Sequence, residues 1–174
     1  PLVDKPLLQY ALDEMRDSGV KEIIFVVDAR NFRFISEYLK RAPALEKLLE
    51  DHKNIQGAEE LRKLGELCKT FSFSFVKQAK PLGEGHAILQ ARKLVGEEPC
   101  FVLSPDDVIE SHKPALSQLA RVFSTADRPV TGLFELPEEK LSSYGVCAGE
   151  QIARKLYKLR EIVEKPEQGK APSR

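Results

Sequence analysis

Apolar residues change their spacing several times along this chain, and each change predicts an element. Leu7, Leu8, Ala11, Leu12 and Met15 recur at helical spacing after Pro6, whose missing N–H would be unpaired at a helix start anyway, and Gly19 ends the run. From Lys21 to Asp28 the pattern becomes KEIIFVVD, with Ile23 to Val27 apolar without alternation, as in a strand covered on both faces. Residues 31–67 are charged and mostly helical in pattern. Phe34, Ile35, Tyr38 and Leu39 share a face there, and Leu45, Leu48 and Leu49 repeat the spacing after Pro43, so the stretch is expected to be a helical insertion. Phe71, Phe73 and Phe75 then alternate with serines, predicting a strand over about 70–78 with one buried face. A helix from Glu84 to Leu94 follows. The remaining predictions are a third strand at Cys100 to Ser104, a helix near Pro114 to Phe123, a fourth strand at Pro129 to Leu136, and a short antiparallel pair from Tyr144 to Ala148 and Tyr157 to Glu164.

Strand, helix, strand, helix, strand in that order implies an α/β fold with a twisted, mostly parallel sheet and helices on both faces. Ligands on such sheets gather at the carboxyl ends of the strands, and Gln78, Asp106 and Asp107 all fall just past predicted strand ends.

With 174 residues, 42% of them hydrophobic, the chain can bury one good core, so one unit is expected over 1–167 with a tail at 168–174. Lys plus Arg and Asp plus Glu both number 27, so no net field draws the protein to a nucleic-acid polymer or an anionic membrane. Phosphate binding would have to be local. Cys68, Cys100 and Cys147 lack the paired spacing of a zinc or redox site, which suits reduced thiols in the cytoplasm, and Cys100 is expected in the core. No apolar run approaches the length of a membrane span, and the first residues lack the profile of a signal peptide. The start at Pro1, without an initiator Met, points to residues upstream.

Candidate chemistry lies in a few short stretches. In VKQAKPLGEGHAILQA, Gly83 and Gly85 leave backbone bare beside the amide of Gln78, as needed for a flat ring to approach closely; such a turn also serves as plain connection. SPDDV places Asp106 and Asp107 after an apolar strand, where a carboxylate can hold Mg²⁺ against phosphates or simply cap a turn. VEKPE puts Glu164 and Lys165 before Pro166, at a strand end; the residue before proline is pushed extended, and Lys165 could clamp a phosphate. SYGV sets Tyr144 beside Gly145, suited to packing where backbone approaches a ligand. His52, His86 and His112 share no metal spacing, and none is read as a ligand.

Taken together, VDKPLLQYALDEMRDSGVKEIIFVV, KQAKPLGEGHAILQARKLVGEEP, VLSPDDVI, SSYGV and IVEKP followed by APS resemble the bacterial UTP:glucose-1-phosphate uridylyltransferases, within the sugar nucleotidyltransferase family. The resemblance runs over nearly the whole chain. It implies a Rossmann-like three-layer α/β/α nucleotide-diphospho-sugar transferase fold, incomplete at both ends here, and a partial nucleotidyltransferase domain. The implied reaction forms UDP-glucose and pyrophosphate from UTP and glucose 1-phosphate with Mg²⁺ as cofactor. Matched position by position, Gln78 and Gly83 would read uracil, and Asp106 would bind the metal. Tyr144, Gly145 and Glu164 would line the sugar pocket, and Lys165 would hold the sugar phosphate as the catalytic lysine. A cytoplasmic homo-oligomer is implied for the parent protein.

Members of that family begin with a strand and a Gly-rich loop ending in Thr-Arg that holds the triphosphate, and end with further strands and a second metal-binding aspartate. None of these is in this sequence, so impaired turnover, unpaired sheet edges and exposed apolar surface are expected. Two other readings fit the same residues. One is a non-catalytic nucleotide-sugar-binding module; the other is an enzyme of the same fold with another sugar or base, since Gln78 and Gly83 would suit thymine nearly as well as uracil.

Overall fold

Phe25 stacks on Phe75 with ring centroids 5.3 Å apart, joining the two strands around which the first part of the molecule is built. The structure is a computed structural model describing residues 2–3 and 5–173. It comprises two compact units, one running to Arg128 and the other starting at Pro129.

In the first unit, helix α1 (Leu7–Asp17) leads to strand β1 (Glu22–Val27). Helices α2 (Ala29–Tyr38), α3 (Pro43–Asp51) and α4 (Ile55–Cys68) then carry the chain to β2 (Ser72–Lys77). Because that connection is long and helical, β1 and β2 can pair in parallel, with Ile23 opposite Phe73 and Phe25 opposite Phe75. Ile23 and Val27 are buried and the residues between them half-buried, as an unalternating apolar run requires. Leu12, Ile23, Leu64, Leu67, Cys68 and Phe71 form the core. Burial pushes the Cys68 thiol up from its ordinary range, so that it is protonated and unreactive at neutral pH and ionises only in alkali.

Local chemistry fixes where the helices begin. Asp28 accepts from the Asn31 N–H at 2.7 Å to cap α2, and Asn54 accepts from the Gly57 N–H at 3.0 Å to cap α4. Pro43 occupies the first turn of α3. Glu46, only 5% exposed, is held by the guanidinium groups of Arg41 and Arg62, a pairing that a buried carboxylate needs.

After β2 come α5 (Glu84–Val95) and α6 (Ala115–Ala126). Helix α6 has no capping side chain of its own; the Glu14 carboxylate of α1 accepts from the Leu116 N–H at 2.8 Å instead.

The second unit opens with a 3₁₀ turn (Glu138–Ser143), then β3 (Gly145–Ala153) and β4 (Leu156–Glu164) in an antiparallel ladder. The ladder is longer than the sequence pattern predicts. Its turn, Arg154–Lys155, lacks the Asn-Gly or Gly signal of a tight hairpin, and Lys155 takes the left-handed conformation itself, at φ 58°. Residues beyond β4 fold back on β3, where the Ser173 hydroxyl donates to the Cys147 carbonyl at 2.5 Å.

The α/β class holds, with helices around parallel strands β1 and β2. Cys100 to Ser104 and Pro129 to Leu136, however, form no strand, and among the described residues the ladders are this parallel pair and the antiparallel β3–β4 pair. Apolar character alone does not make a strand; its backbone needs a neighbour to complete the ladder, and among the described residues none pairs with either segment. Their side chains are correspondingly open, Val102 at 62% and Phe134 at 85% exposure. For the same reason Cys100, expected in the core, is exposed.

Candidate functional site

Gln78 sits one residue past β2, and its N–H donates to the Val27 carbonyl at 2.9 Å, so the ladder itself fixes where its side chain starts. That side chain turns toward the loop. Its Nε2 donates to the Gly83 carbonyl at 3.2 Å and meets His86 Nδ1 at 3.0 Å. Gly83 is the residue at the head of α5, with φ 97° and ψ 175°, a conformation that disfavours any side chain. A Cβ added at Gly83 or at Gly85 would meet nothing within 4 Å, so the backbone there is bare on an open surface. Gly83 also accepts from the Ala87 N–H at 3.1 Å, the first bond of the helix. One glycine carbonyl therefore ties the Gln78 amide to the start of α5.

Asp106 and Asp107 lie in a turn closed by the Asp107 N–H donating to the Ser104 carbonyl at 3.1 Å. Both are exposed, and among the described residues no three His, Cys, Asp or Glu side chains cluster as a metal cage would require. The hard oxygens of one or two carboxylates nevertheless fit Mg²⁺, which keeps several waters and takes its other ligands from bound phosphates.

The second unit holds the other candidates close together. Gly145 and Glu164 are register partners at the open end of the β3–β4 ladder, and the Lys165 N–H donates to the Tyr144 carbonyl at 3.1 Å. Contrary to the extended conformation expected before Pro166, Lys165 is left-handed at φ 44°. The chain turns as it leaves the ladder, and the bond to Tyr144 helps hold Lys165 there. This conformation costs about 1–3 kcal/mol in a residue other than glycine and is characteristic of functional positions. It also alters the geometry: regular alternation would aim Glu164 and Lys165 at opposite faces, whereas Lys165 Nζ lies 3.7 Å from Glu164 Oε1, both side chains open to solvent.

The structure thus brings Gln78 to Gly83 in one unit, and Tyr144, Gly145, Glu164 and Lys165 to each other in the other. Sequence reasoning passed over His86 and Gln90, which belong with Gln78: Gln90 Nε2 lies 3.2 Å from His86 Nε2. The available signal was their separation of four along α5, which puts them on one helix face. A cavity of about 410 Å³ lies elsewhere, lined by Gln9, Tyr38, Asn54 and Leu64 among others, and contains none of the candidate residues.

The nucleotidyl transferase family model matches residues 1–174. The chain belongs to that family. A Staphylococcus saprophyticus protein named UTP–glucose-1-phosphate uridylyltransferase 2 is 35% identical over 173 residues, covering 99% of this chain and 58% of that relative's own length. An apo UDP-glucose pyrophosphorylase crystal structure superposes with a TM-score of 0.86 at 32% identity, covering 99% of this chain and 63% of the other. A UDP-glucose pyrophosphorylase complexed with UDP-glucose gives 0.84 at 32% identity, covering 99% and 62%. The chain therefore spans about three-fifths of the relatives it matches. Among the described residues of this nucleotidyl transferase, no helix is long and apolar enough to cross a membrane.

Proposed function

We propose that this nucleotidyl transferase belongs to a protein that joins UTP and glucose 1-phosphate to give UDP-glucose and pyrophosphate. The observation that carries the reading is the Gln78–Gly83 pair, a side-chain amide anchored on backbone bare enough for a planar base to approach. The names of the relatives support the same chemistry. Residues 1–167 would act as one partial nucleotidyltransferase domain, with 31–67 as its helical insertion and 168–174 as a tail.

Gln78 and Gly83 read the uracil edge, Gln78 by its amide and Gly83 by its backbone. Tyr144 and Gly145 bound the sugar, Glu164 accepts from its hydroxyls, and Lys165 sits against the sugar phosphate as the catalytic cation. A phosphate oxygen of the sugar phosphate bonds to the α-phosphorus of UTP, while the bond from that phosphorus to the bridging oxygen breaks and pyrophosphate leaves with the electron pair. No covalent protein intermediate is needed, so positioning and charge neutralisation supply most of the acceleration. Mg²⁺, with Asp106 as its protein ligand, would neutralise charge on the phosphate oxygens. A homo-oligomeric parent in the cytoplasm completes the reading, and the unpaired Cys68, Cys100 and Cys147 suit that reducing compartment.

Calorimetry with UDP-glucose, together with a coupled pyrophosphate-release assay, tests it. Binding is expected to weaken about tenfold or more in Gln78→Ala and in Glu164→Ala. Asp106→Ala is expected to remove Mg²⁺-dependent turnover in the full-length parent. A chain that does not bind UDP-glucose, or binds it equally well after both binding-site substitutions, overturns the assignment.

A further inference from the structure

His86 is flanked by two amides. Its Nδ1 lies 3.0 Å from Gln78 Nε2 and its Nε2 lies 3.2 Å from Gln90 Nε2. A neutral imidazole carries one N–H and one lone pair, so it cannot accept from an amide nitrogen on both sides; one glutamine must present its oxygen to the ring. The shorter contact is the one to Gln78, and the same nitrogen also faces the Gly83 carbonyl at 3.2 Å. With the amide nitrogen of Gln78 turned to these two acceptors, Nδ1 is the ring's lone-pair side and its proton sits on Nε2. Gln90 then turns its Oε1 to that proton, swinging its Nε2 off the His86 carbonyl that it meets at 3.2 Å.

The consequence falls on Gln78. An amide whose nitrogen is occupied by His86 and Gly83 can offer only its Oε1 outward. If the ring proton were on Nδ1, Gln78 would have to face it with Oε1 and would show its NH₂ to the ligand. Set opposite position 3 of the base, the outward Oε1 would accept from the N3–H of uracil or thymine and would meet the N3 lone pair of cytosine, whose amino donor lies instead at position 4. We propose that His86, steadied by Gln90, is a positioning residue that sets base specificity by locking Gln78 with its acceptor oxygen outward, favouring pyrimidines with an N3–H over cytosine. The inference rests on the reading of Gln78 as the base reader.

Two measurements on the whole chain test it. Long-range ¹H–¹⁵N spectra of His86 should show the proton on Nε2 and a bare Nδ1; a proton on Nδ1 in the neutral ring overturns the proposal. Calorimetry with UTP and CTP should show that the wild type prefers UTP, that His86→Leu reduces the ratio about tenfold or more, and that His86→Asn restores most of it, since an asparagine oxygen can stand where Nδ1 was. Thermal unfolding checks that the variants are folded, and a folded His86→Leu protein with an unchanged UTP/CTP ratio overturns the proposal while the base-reading role of Gln78 stands. A wild type that binds neither nucleotide overturns that role itself, and the specificity proposal with it.

Discussion

Gly145 faces Glu164 across the β3–β4 ladder so closely that a Cβ on the glycine would lie 3.1 Å from the carboxylate oxygen Oε2. The glycine is therefore what leaves the Glu164 side chain in its present position. Gly145→Ala is expected to push that carboxylate aside by a few tenths of an ångström at little cost in stability, because Glu164 is exposed and can give. In titrations, the substitution should weaken UDP-glucose binding while leaving UTP binding nearly unchanged. Equal losses for both ligands would place the effect outside the sugar pocket.

Gly149, four residues further along the same strand, should behave differently. A Cβ there would meet the Lys158 carbonyl oxygen at 2.5 Å and the Leu159 Cα at 3.0 Å, at a register shift in the ladder. Backbone cannot swing away as a carboxylate can. Gly149→Ala is expected to cost about 1–3 kcal/mol, read as a lower unfolding midpoint in denaturant.

Tyr38 gives an alkaline signature. Burial first, then the negative charges of Cys68 and Asp13, raise its phenol from an ordinary 10.0 to about 12. Between those values the unfolded chain releases the proton and the native state keeps it, so the contribution is complete below pH 10 and is lost as pH rises through about 12. The Tyr38 hydroxyl also donates to Gln9 Oε1 at 2.8 Å, a bond that ionisation removes. Tyr38→Phe is expected to flatten the fall in stability over that interval, measured by denaturant unfolding at stepped pH.

Glu14 holds the start of a helix distant in sequence, accepting from the Leu116 N–H at 2.8 Å. Glu14→Ala should leave that donor at the head of α6 without its side-chain acceptor and cost about 0.5–2 kcal/mol. Hydrogen exchange should show faster exchange at Leu116 than in the wild type, with amides in β1 and β2 unaffected.

The parts of the fold legible in the sequence are those whose signal is local. The unbroken apolar run at Ile23 to Val27, the phenylalanines alternating with serines from Phe71 to Phe75, and the helix opening at Glu84 each depend on neighbours a few residues away, and each element formed. Cys100 to Ser104 and Pro129 to Leu136 carry equally good strand composition but formed no ladder, because pairing depends on another segment being alongside. The same distinction separates Gln78, prominent beside a glycine turn, from His86, whose importance comes from meeting Gln78, and from Gln90, which meets His86 in turn.

By itself the sequence determined the α/β class and the family, and supplied the residue types proposed here for a base, a sugar and a cation, because periodicity, turn chemistry and functional groups are properties of short stretches. Tertiary structure alone decided that Gly83 anchors the Gln78 amide, that His86 stands between two glutamines, and that a left-handed Lys165 comes to the same side as Glu164. Those are relations of hydrogen-bond geometry and backbone conformation, set only when the ladders and helix ends bring the groups together.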